Sequence, residues 1–310
     1  MKNVTLKYPV FTLDKKLLLP EGAEITKENL DKFIFQNQFS QPQLINIIQH
    51  SSIRKDILYF INTSPYNVIF SGPGTITGLI NFIKNIRLDI ALLQSLDYFR
   101  ENDFYTYRHS LLVFALASLM SQRLISGHDG RILEASTGPV HDIGKICVPL
   151  NVLKKSTPLA RTELGVLEHH AIAGYVLLSF YLKETQSIPS LVARDHHERK
   201  DGSGYPLGIC QTDIMVELIA VCDVYDALIS QRPYRPVSYD NRTALEEITS
   251  MAEKNKIGWE TVKALIALNR KDTLHYRDIN ISNEKRGIPP ENNIYGVFVD
   301  EESDENKKLN

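Results

Sequence analysis

Five of the nine histidines form an ordered series through the middle of the chain, and two aspartates accompany them. The histidines of this series are His109, His141, His170, His196 and His197. Asp142 directly follows His141, and Asp223 comes after the last histidine. Imidazole nitrogen together with carboxylate oxygen suits iron, manganese or zinc rather than calcium. Five imidazoles and two carboxylates are too many for one ion, whereas two ions sharing a bridging carboxylate would use them all and leave positions for water or substrate.

Each of these residues also has an ordinary structural explanation. A histidine beside an apolar stretch, such as His109, is more often a hydrogen-bonded structural residue, and a His-Asp pair is common by chance. Asp223 could be solvated, but it follows the apolar run 218–222, in which an unpaired carboxylate would be costly. A bound metal ion would remove that cost. The ordered set as a whole therefore favours a metal centre.

The His196-His197 pair requires a break in the helix that carries it. Adjacent side chains on a helix diverge by about 100°, so the two rings converge on one ion only where the helix ends or distorts. Residues 201–206 read Asp-Gly-Ser-Gly-Tyr-Pro, and such a run cannot continue a helix. We expect Gly202 and Gly204 to allow positive φ angles and Asp201 to tie the loop down through backbone hydrogen bonds.

The elements that must position these residues are predicted to be helices. Helical periodicity dominates from Ile76 to Asn269, whereas residues 1–20 alternate apolar and polar positions and predict short strands. Thr26 can begin a helix, and a second helix is expected at about 42–62. The predicted fold is mainly α. It has a small α/β or mixed accessory domain at residues 1–80, a helical bundle at 81–295 and an acidic, disordered tail at 296–310.

The composition of the 310-residue chain is that of an ordinary globular protein, with 43% hydrophobic and 23% charged residues. A formal net charge of −2 gives no long-range attraction to nucleic acid or anionic lipid, so direct nucleic-acid binding is not expected. No apolar run is long enough for a signal peptide or a membrane span, which predicts a cytoplasmic protein. The three cysteines lack a C-x-x-C pair and are expected to be buried thiols.

Three motifs carry a family resemblance. Residues 141–145 read His-Asp-Ile-Gly-Lys, residues 196–206 read His-His-Glu-Arg-Lys-Asp-Gly-Ser-Gly-Tyr-Pro, and residues 223–228 read Asp-Val-Tyr-Asp-Ala-Leu. This combination resembles the HD-GYP family, a branch of the HD-domain metallohydrolases, over roughly residues 100–250. The resemblance implies an HD-type helical bundle and the hydrolysis of cyclic di-GMP, which is the substrate of characterised members. The linear dinucleotide pGpG would be the product, with GMP as a further product.

The resemblance also implies how the metals are bound. One ion would be held by His109, His141 and Asp223. The second would be held by His170, His196 and His197. Asp142 would bridge the two ions, which are expected to be non-haem iron, with manganese as the alternative. Some family members hold a third metal with a glutamate four residues before the first histidine, but Tyr105 stands there, so two ions per chain are expected.

Substrate contacts are implied for residues beside the ligands. Catalytic roles fall to Asp142 and Lys145. Contacts to the substrate fall to Lys145, Tyr205, Arg232 and Arg235, although the two arginines could equally be solvated charges. The family usually has an apolar helical run before the His-Asp pair, whereas Pro139 predicts that a helix begins at about this residue.

The partners implied are cyclic di-GMP and a GGDEF-domain diguanylate cyclase, which would bind the Gly204-Tyr205-Pro206 loop. A homodimer is left open as the assembly state. Two other functions also remain open. The chain could be a slow or inactive cyclic-dinucleotide receptor that signals through partner proteins. It could also be an HD-type hydrolase of another phosphate ester or of a hybrid cyclic dinucleotide.

Overall fold

The computed structural model describes residues 4–231, 237–270, 275–282, 284–291 and the backbone of 298–299. Within these residues the chain is mainly helical, which confirms the predicted fold class. The α-helices, in chain order, are α1 (Lys27–Asn37), α2 (Ile53–Ile61), α3 (Thr75–Ile83), α4 (Ile90–Asn102), α5 (Phe104–Leu124), α6 (His128–Thr137), α7 (Leu150–Leu153), α8 (Arg161–Leu182), α9 (Ile188–Asp195), α10 (Ile214–Ile229), α11 (Asn241–Glu253) and α12 (Trp259–Leu268). The strands are β1 (Val10–Phe11), β2 (Leu17–Leu19), β3 (Leu44–Asn46), β4 (Arg87–Asp89), β5 (Leu159–Ala160) and β6 (Phe298–Val299).

The strands form three two-stranded sheets. β1 pairs with β2 and β3 with β4, both antiparallel, and β5 pairs with β6 in parallel. The short strands predicted in residues 1–20 are confirmed, as is the helix opened by Thr26, whose side chain accepts a hydrogen bond from the Asn29 amide. The helix predicted at about 42–62 is wrong in its first half. There β3 pairs with β4 and a 3₁₀ helix spans Ile47–Gln49, so α2 begins only at Ile53.

Helix α5 lies at the centre of the bundle. Its buried residues cover every face over most of its length, as expected of a helix surrounded by others. It contacts α4, α6, α10 and α12, and α8 packs against α9. Within the described part of the chain, none of the helices combines the length and apolarity that a bilayer crossing requires.

The N-terminal segment, residues 4–80, packs directly against this bundle. Helix α1 contacts α8, and α2 contacts α5. The Asn37 side-chain amide donates to the Phe180 carbonyl at 3.0 Å, and the Tyr107 hydroxyl donates to Asp56 at 2.7 Å. Buried apolar side chains from Leu6 to Ile279 form one continuous core. The division into domains at residue 80 stays a prediction.

Two short features near the site differ from expectation. The helix expected to begin at about Pro139 is a single 3₁₀ turn, Gly138–Val140, which follows α6 directly. All three cysteines are unpaired, but only Cys222 is buried, and Cys210 is exposed. The prediction of buried thiols is therefore wrong for Cys210, which follows the loop at 201–206.

Candidate metal centre

Five elements bring the seven predicted ligand side chains together. His109 comes from α5, His170 from α8 and Asp223 from α10. His141 and Asp142 lie between two 3₁₀ helices, Gly138–Val140 and Ile143–Cys147. His196 and His197 follow the last residue of α9. The predicted helix end at the histidine pair is thus found, and it lets two adjacent rings face the same centre.

A glycine allows the elements on either side of Asp142 to approach closely. A Cβ atom at Gly144 would overlap the His170 carbonyl oxygen and lie 2.5 Å from the Gly174 amide nitrogen. Because Gly144 has no side chain, the turn that carries Asp142 packs directly against α8, which carries His170. Distances of this kind are well below normal contact, so a larger residue would force the two ligands apart.

The ligand atoms form two groups joined by Asp142. Potential ligand atoms of His109, His141 and Asp223 lie within 4.8 Å of one another, and so do those of His170, His196 and His197. Asp142 directs one carboxylate oxygen to each group. Its Oδ2 lies 3.5 Å from Nε2 of both His109 and His141, and its Oδ1 lies 3.3 Å from Nε2 of His170.

Hydrogen bonds on the outer side of the rings fix which nitrogen faces the centre. Nδ1 of His141 donates to the Gly138 carbonyl at 2.7 Å, and Nδ1 of His170 donates to the Leu167 carbonyl at 2.6 Å. Nδ1 of His196 likewise donates to the Ala193 carbonyl at 3.0 Å. Because a carbonyl can only accept, the proton lies on Nδ1 of each neutral ring. The inward Nε2 atoms then carry lone pairs, as metal-ligating histidines do.

Two of these inward atoms require a partner that the described residues do not supply. Nε2 of His141 and Nε2 of His196 are buried without a hydrogen-bond partner among the described residues. The Nε2 atoms of His170 and His197 face each other at 3.1 Å. The unpaired Nε2 acceptors of His141 and His196 cost free energy, and divalent cations would satisfy both. The donor set therefore fits divalent metal ions.

The neutral state of His170, His196 and His197 also fits the binding of divalent metal ions. Burial lowers the pKa of His170 and of His196 to about 4, and it also lowers the pKa of His197 well below its usual value. These rings are neutral at pH 7, which is the form that binds metals.

The carboxylates are held ionised against the effect of burial. Burial alone would raise the pKa of Asp142, but nearby positive charge, first of all that of Lys145, outweighs it and holds that pKa well below the ordinary range. The pKa of Asp223 is likewise lowered, because the hydrogen bond and charge of His109 outweigh burial. Both side chains therefore present negative oxygen to the centre.

His109 differs from the other histidines. Burial acts to lower its pKa, yet hydrogen bonds with Asp223 and Asp226 raise it to about 9. Its Nε2 lies 3.1 Å from Asp223 Oδ1, and its Nδ1 lies 2.6 Å from Asp226 Oδ2. A proton on Nε2 would occupy the place of a cation between this ring and Asp223, so metal binding at His109 should release that proton.

Four residues are predicted to contact substrate, and the structure describes two of them. Lys145 and Tyr205 both lie at the edge of the ligand cluster. Nζ of Lys145 lies 2.6 Å from Asp142 Oδ2, so this lysine borders the ligands. The Tyr205 ring stacks on the His197 ring with centroids 4.5 Å apart. Arg232 and Arg235 lie outside the described residues. Contact of these side chains with a substrate stays a prediction.

The loop that carries Tyr205 is fixed mainly by a residue that the sequence did not single out. The buried carboxylate of Glu198 accepts hydrogen bonds from the backbone amides of residues 207, 208 and 209. Asp201 contributes as predicted, accepting from the Ser203 amide at 3.0 Å. Gly202 has the expected positive φ of 77°, but Gly204 does not. Gly204 is required because a Cβ there would overlap the backbone of residues 197–199.

Asp226 is a second residue whose role the sequence did not reveal. It is fully buried and hydrogen-bonded to His109. Its position three residues after Asp223, on the same face of an apolar helix, is the signal that could have indicated a buried partner.

A family model described as an HD domain matches residues 100–260, which include every predicted metal ligand. The chain belongs to the HD domain family. A divalent metal centre at the His and Asp clusters is consistent with this family.

Relatives of this HD domain chain include proteins named cyclic di-GMP phosphodiesterases. The chain is 39% identical over 166 residues to "Cyclic di-GMP phosphodiesterase PA4108" of Pseudomonas aeruginosa, covering 53% of this chain and 39% of that protein. It is 42% identical over 123 residues to "Cyclic di-GMP phosphodiesterase response regulator RpfG" of Xanthomonas campestris, covering 39% and 32%. It is 31% identical over 191 residues to a Thermotoga maritima "Cyclic di-GMP phosphodiesterase", covering 61% and 50%. The chain thus matches half or less of the length of these relatives.

A solved structure is also similar to this HD domain chain. It is Bd1817, described as a HDG"Y"P protein from Bdellovibrio bacteriovorus. The TM-score is 0.45 at 17% sequence identity, and the similarity covers 86% of this chain and 94% of that one.

Proposed function

We propose that this chain hydrolyses cyclic di-GMP to linear pGpG at a centre of two divalent metal ions. The observation that carries the proposal is the position of Asp142, which directs one oxygen toward each of two histidine groups. Such a shared carboxylate is the feature expected of a two-metal site that acts on phosphate esters. The names of three relatives support cyclic di-GMP as the substrate.

The proposed ligand sets follow the two groups of side chains. His109, His141 and Asp223 would bind one ion. His170, His196 and His197 would bind the other, with Asp142 between them. We propose non-haem iron for both ions, with manganese as the alternative, because mixed imidazole and carboxylate ligands suit both metals.

The chain's own residues would orient the substrate. When bound, the two ions would polarise a phosphodiester oxygen and lower the pKa of nearby water. Two carboxylates only partly offset the charge of two divalent ions, so the centre would remain positive and attract the phosphodiester. Lys145, whose side chain is 15% exposed, adds a cation on the same border. Asp223 and His197 are also partly exposed, which supports approach of the substrate from this side.

The loop Gly204-Tyr205-Pro206 is proposed to serve as a contact for substrate or for a GGDEF-domain partner. Glu198 holds the end of this loop, and Tyr205 stacks on a proposed metal ligand. A partner bound here would therefore lie directly beside the centre. GMP would be formed only if pGpG binds again after the first cleavage.

A second candidate substrate is the hybrid dinucleotide 3′3′-cGAMP. The chain is 35% identical over 133 residues to "3'3'-cGAMP-specific phosphodiesterase 1" of Vibrio cholerae, an identity comparable to that of the relatives named for cyclic di-GMP. The two substrates share the phosphodiester ring and differ in one base.

Turnover measured on anaerobically purified protein tests the proposal. The protein is incubated separately with cyclic di-GMP and with 3′3′-cGAMP, its metal content is measured, and products are separated by chromatography. We expect pGpG from cyclic di-GMP. Cleavage of 3′3′-cGAMP alone would favour the second candidate. Binding of cyclic di-GMP by the metal-loaded protein without any cleavage would contradict the proposal and favour a receptor.

A further inference from the structure

A chain of buried hydrogen bonds connects His109 to the N-terminal segment. Nδ1 of His109 donates to Asp226 Oδ2 at 2.6 Å, and the other carboxylate oxygen of Asp226 accepts from the hydroxyl of Tyr66. At most 1% of each of these three residues is exposed. Tyr66 begins the 3₁₀ helix Tyr66–Val68, which lies outside the residues that match the HD domain model.

Two further residues surround this connection. Ser230 Oγ donates to the same Asp226 oxygen at 3.0 Å, and the Arg108 guanidinium donates to Ser230 Oγ at 2.9 Å. The guanidinium carbon of Arg108 also lies 5.8 Å from the centre of the Tyr66 ring. Asp226 is therefore held on one side by donors from Tyr66 and Ser230, and it holds His109 on the other.

We propose that Tyr66 is a positioning residue for the metal centre, acting through Asp226. Its hydroxyl would fix the Asp226 carboxylate in the orientation that accepts from His109 Nδ1. That hydrogen bond directs His109 Nε2 toward Asp223 and Asp142. Outer partners of metal-ligating histidines commonly affect metal affinity 10- to 100-fold, although they never touch the ion.

The N-terminal segment supplies part of the support for a metal ligand, so a shift of the 3₁₀ helix Tyr66–Val68 would weaken metal binding at a distance. The inference rests on the proposed metal centre and is independent of which dinucleotide is cleaved.

Tyr107 provides a matched control. Its ring is also buried, with 1% exposed, and its hydroxyl also donates to an aspartate of the N-terminal segment, Asp56, at 2.7 Å. It lies two residues before His109, but Asp56 bonds to Ser52 and Tyr107 and not to a proposed ligand. Tyr107→Phe therefore removes the same kind of bond without disturbing the support of His109.

The test is Mn²⁺ affinity, measured on the apo 310-residue chain by competition with a chromogenic chelator. Tyr66→Phe should weaken Mn²⁺ binding several-fold, and Asp226→Asn should weaken it about 10- to 100-fold. The double variant should bind no more weakly than Asp226→Asn alone, because Tyr66 acts through Asp226. Tyr107→Phe should retain wild-type affinity, even if it lowers the melting temperature as much as Tyr66→Phe.

Two results would overturn the inference. Tyr66→Phe that binds Mn²⁺ as tightly as Tyr107→Phe would show that its hydroxyl serves only the core. If Tyr66→Phe does not fold, Asp226→Asn decides, since unchanged affinity in that variant would remove the link to His109. A wild-type chain that binds neither Mn²⁺ nor Fe²⁺ would instead contradict the metal centre itself, so the two failures are distinguishable.

Discussion

Asp142 and its neighbours show how single side chains would define the proposed metal centre. Its two oxygens are directed to different histidine groups, and Lys145 holds it ionised although it is buried. A residue shared between two cations has a larger effect than a ligand of one, because its loss leaves both positive charges uncompensated.

We therefore predict that Asp142→Ala removes both activity and most of the bound metal. His128→Ala is the control, because His128 starts helix α6 and packs against Phe82 rather than against any proposed ligand. Metal content by elemental analysis and turnover of cyclic di-GMP are measured on both variants. Equal metal loss in the two would mean that the wrong residues have been assigned to the centre.

Tyr205 tests the border of the site. Tyr205→Phe retains the ring that stacks on His197 and removes only the hydroxyl. If that hydroxyl contacts the substrate or a GGDEF-domain partner, turnover or partner capture should fall several-fold, which corresponds to about 1 kcal/mol. Metal content should stay at the wild-type value. Unchanged kinetics together with unchanged partner binding would leave the loop a structural role alone.

At the scale of elements, the centre depends on how closely α8 and the turn after His141 approach. Gly144 allows this approach, and Gly204 does the same for the loop against the backbone that follows His196. Glu198 then fixes the far end of that loop through three backbone amides. Close backbone contact thus explains why Gly144 and Gly204 are glycines. Of the two glycines in residues 201–206, only Gly202 has a positive φ.

Gly144→Ala should lower both stability and metal affinity. The added methyl group would push the backbone of α8 away from the turn that carries Asp142, at a cost of about 1–3 kcal/mol. Gly165→Ala in α8 is the control, since a Cβ at Gly165 meets no atom within 4 Å. That variant should be as stable as wild type or slightly more so, because alanine favours helix. Melting temperatures check this, and a Gly144→Ala variant as stable as Gly165→Ala would contradict the packing explanation.

At the scale of the whole molecule, the predicted helical bundle is confirmed, whereas the ligand set stays a prediction, and both rest on local signals in the sequence. Helical periodicity indicated the bundle, and Asp-Gly-Ser-Gly-Tyr-Pro indicated the helix end at His196. The first half of the helix expected at 42–62 was wrong because the pairing of β3 with β4 depends on a strand that lies some forty residues away.

The supporting shell of the centre could not be predicted in the same way. Tyr66 and Asp226 are 160 positions apart, and only folding brings the hydroxyl to the carboxylate. The local sequence places Asp226 on the same helix face as Asp223, but it does not identify the distant residues that Asp226 contacts. The contacts that position a proposed ligand join residues far apart in the sequence. The types and the order of the proposed ligands, by contrast, can be read from the motifs themselves.

The number of metal ions per chain tests the binuclear centre most directly. Tyr105 stands one turn before His109 and stacks on its ring with centroids 5.9 Å apart, where a third ion would need a carboxylate. Elemental analysis of the anaerobically purified wild-type chain should give close to two ions per chain. A ratio near one would mean that the two histidine groups share a single ion, and a ratio near three would mean that another carboxylate completes a third site. Either result would contradict the centre proposed here.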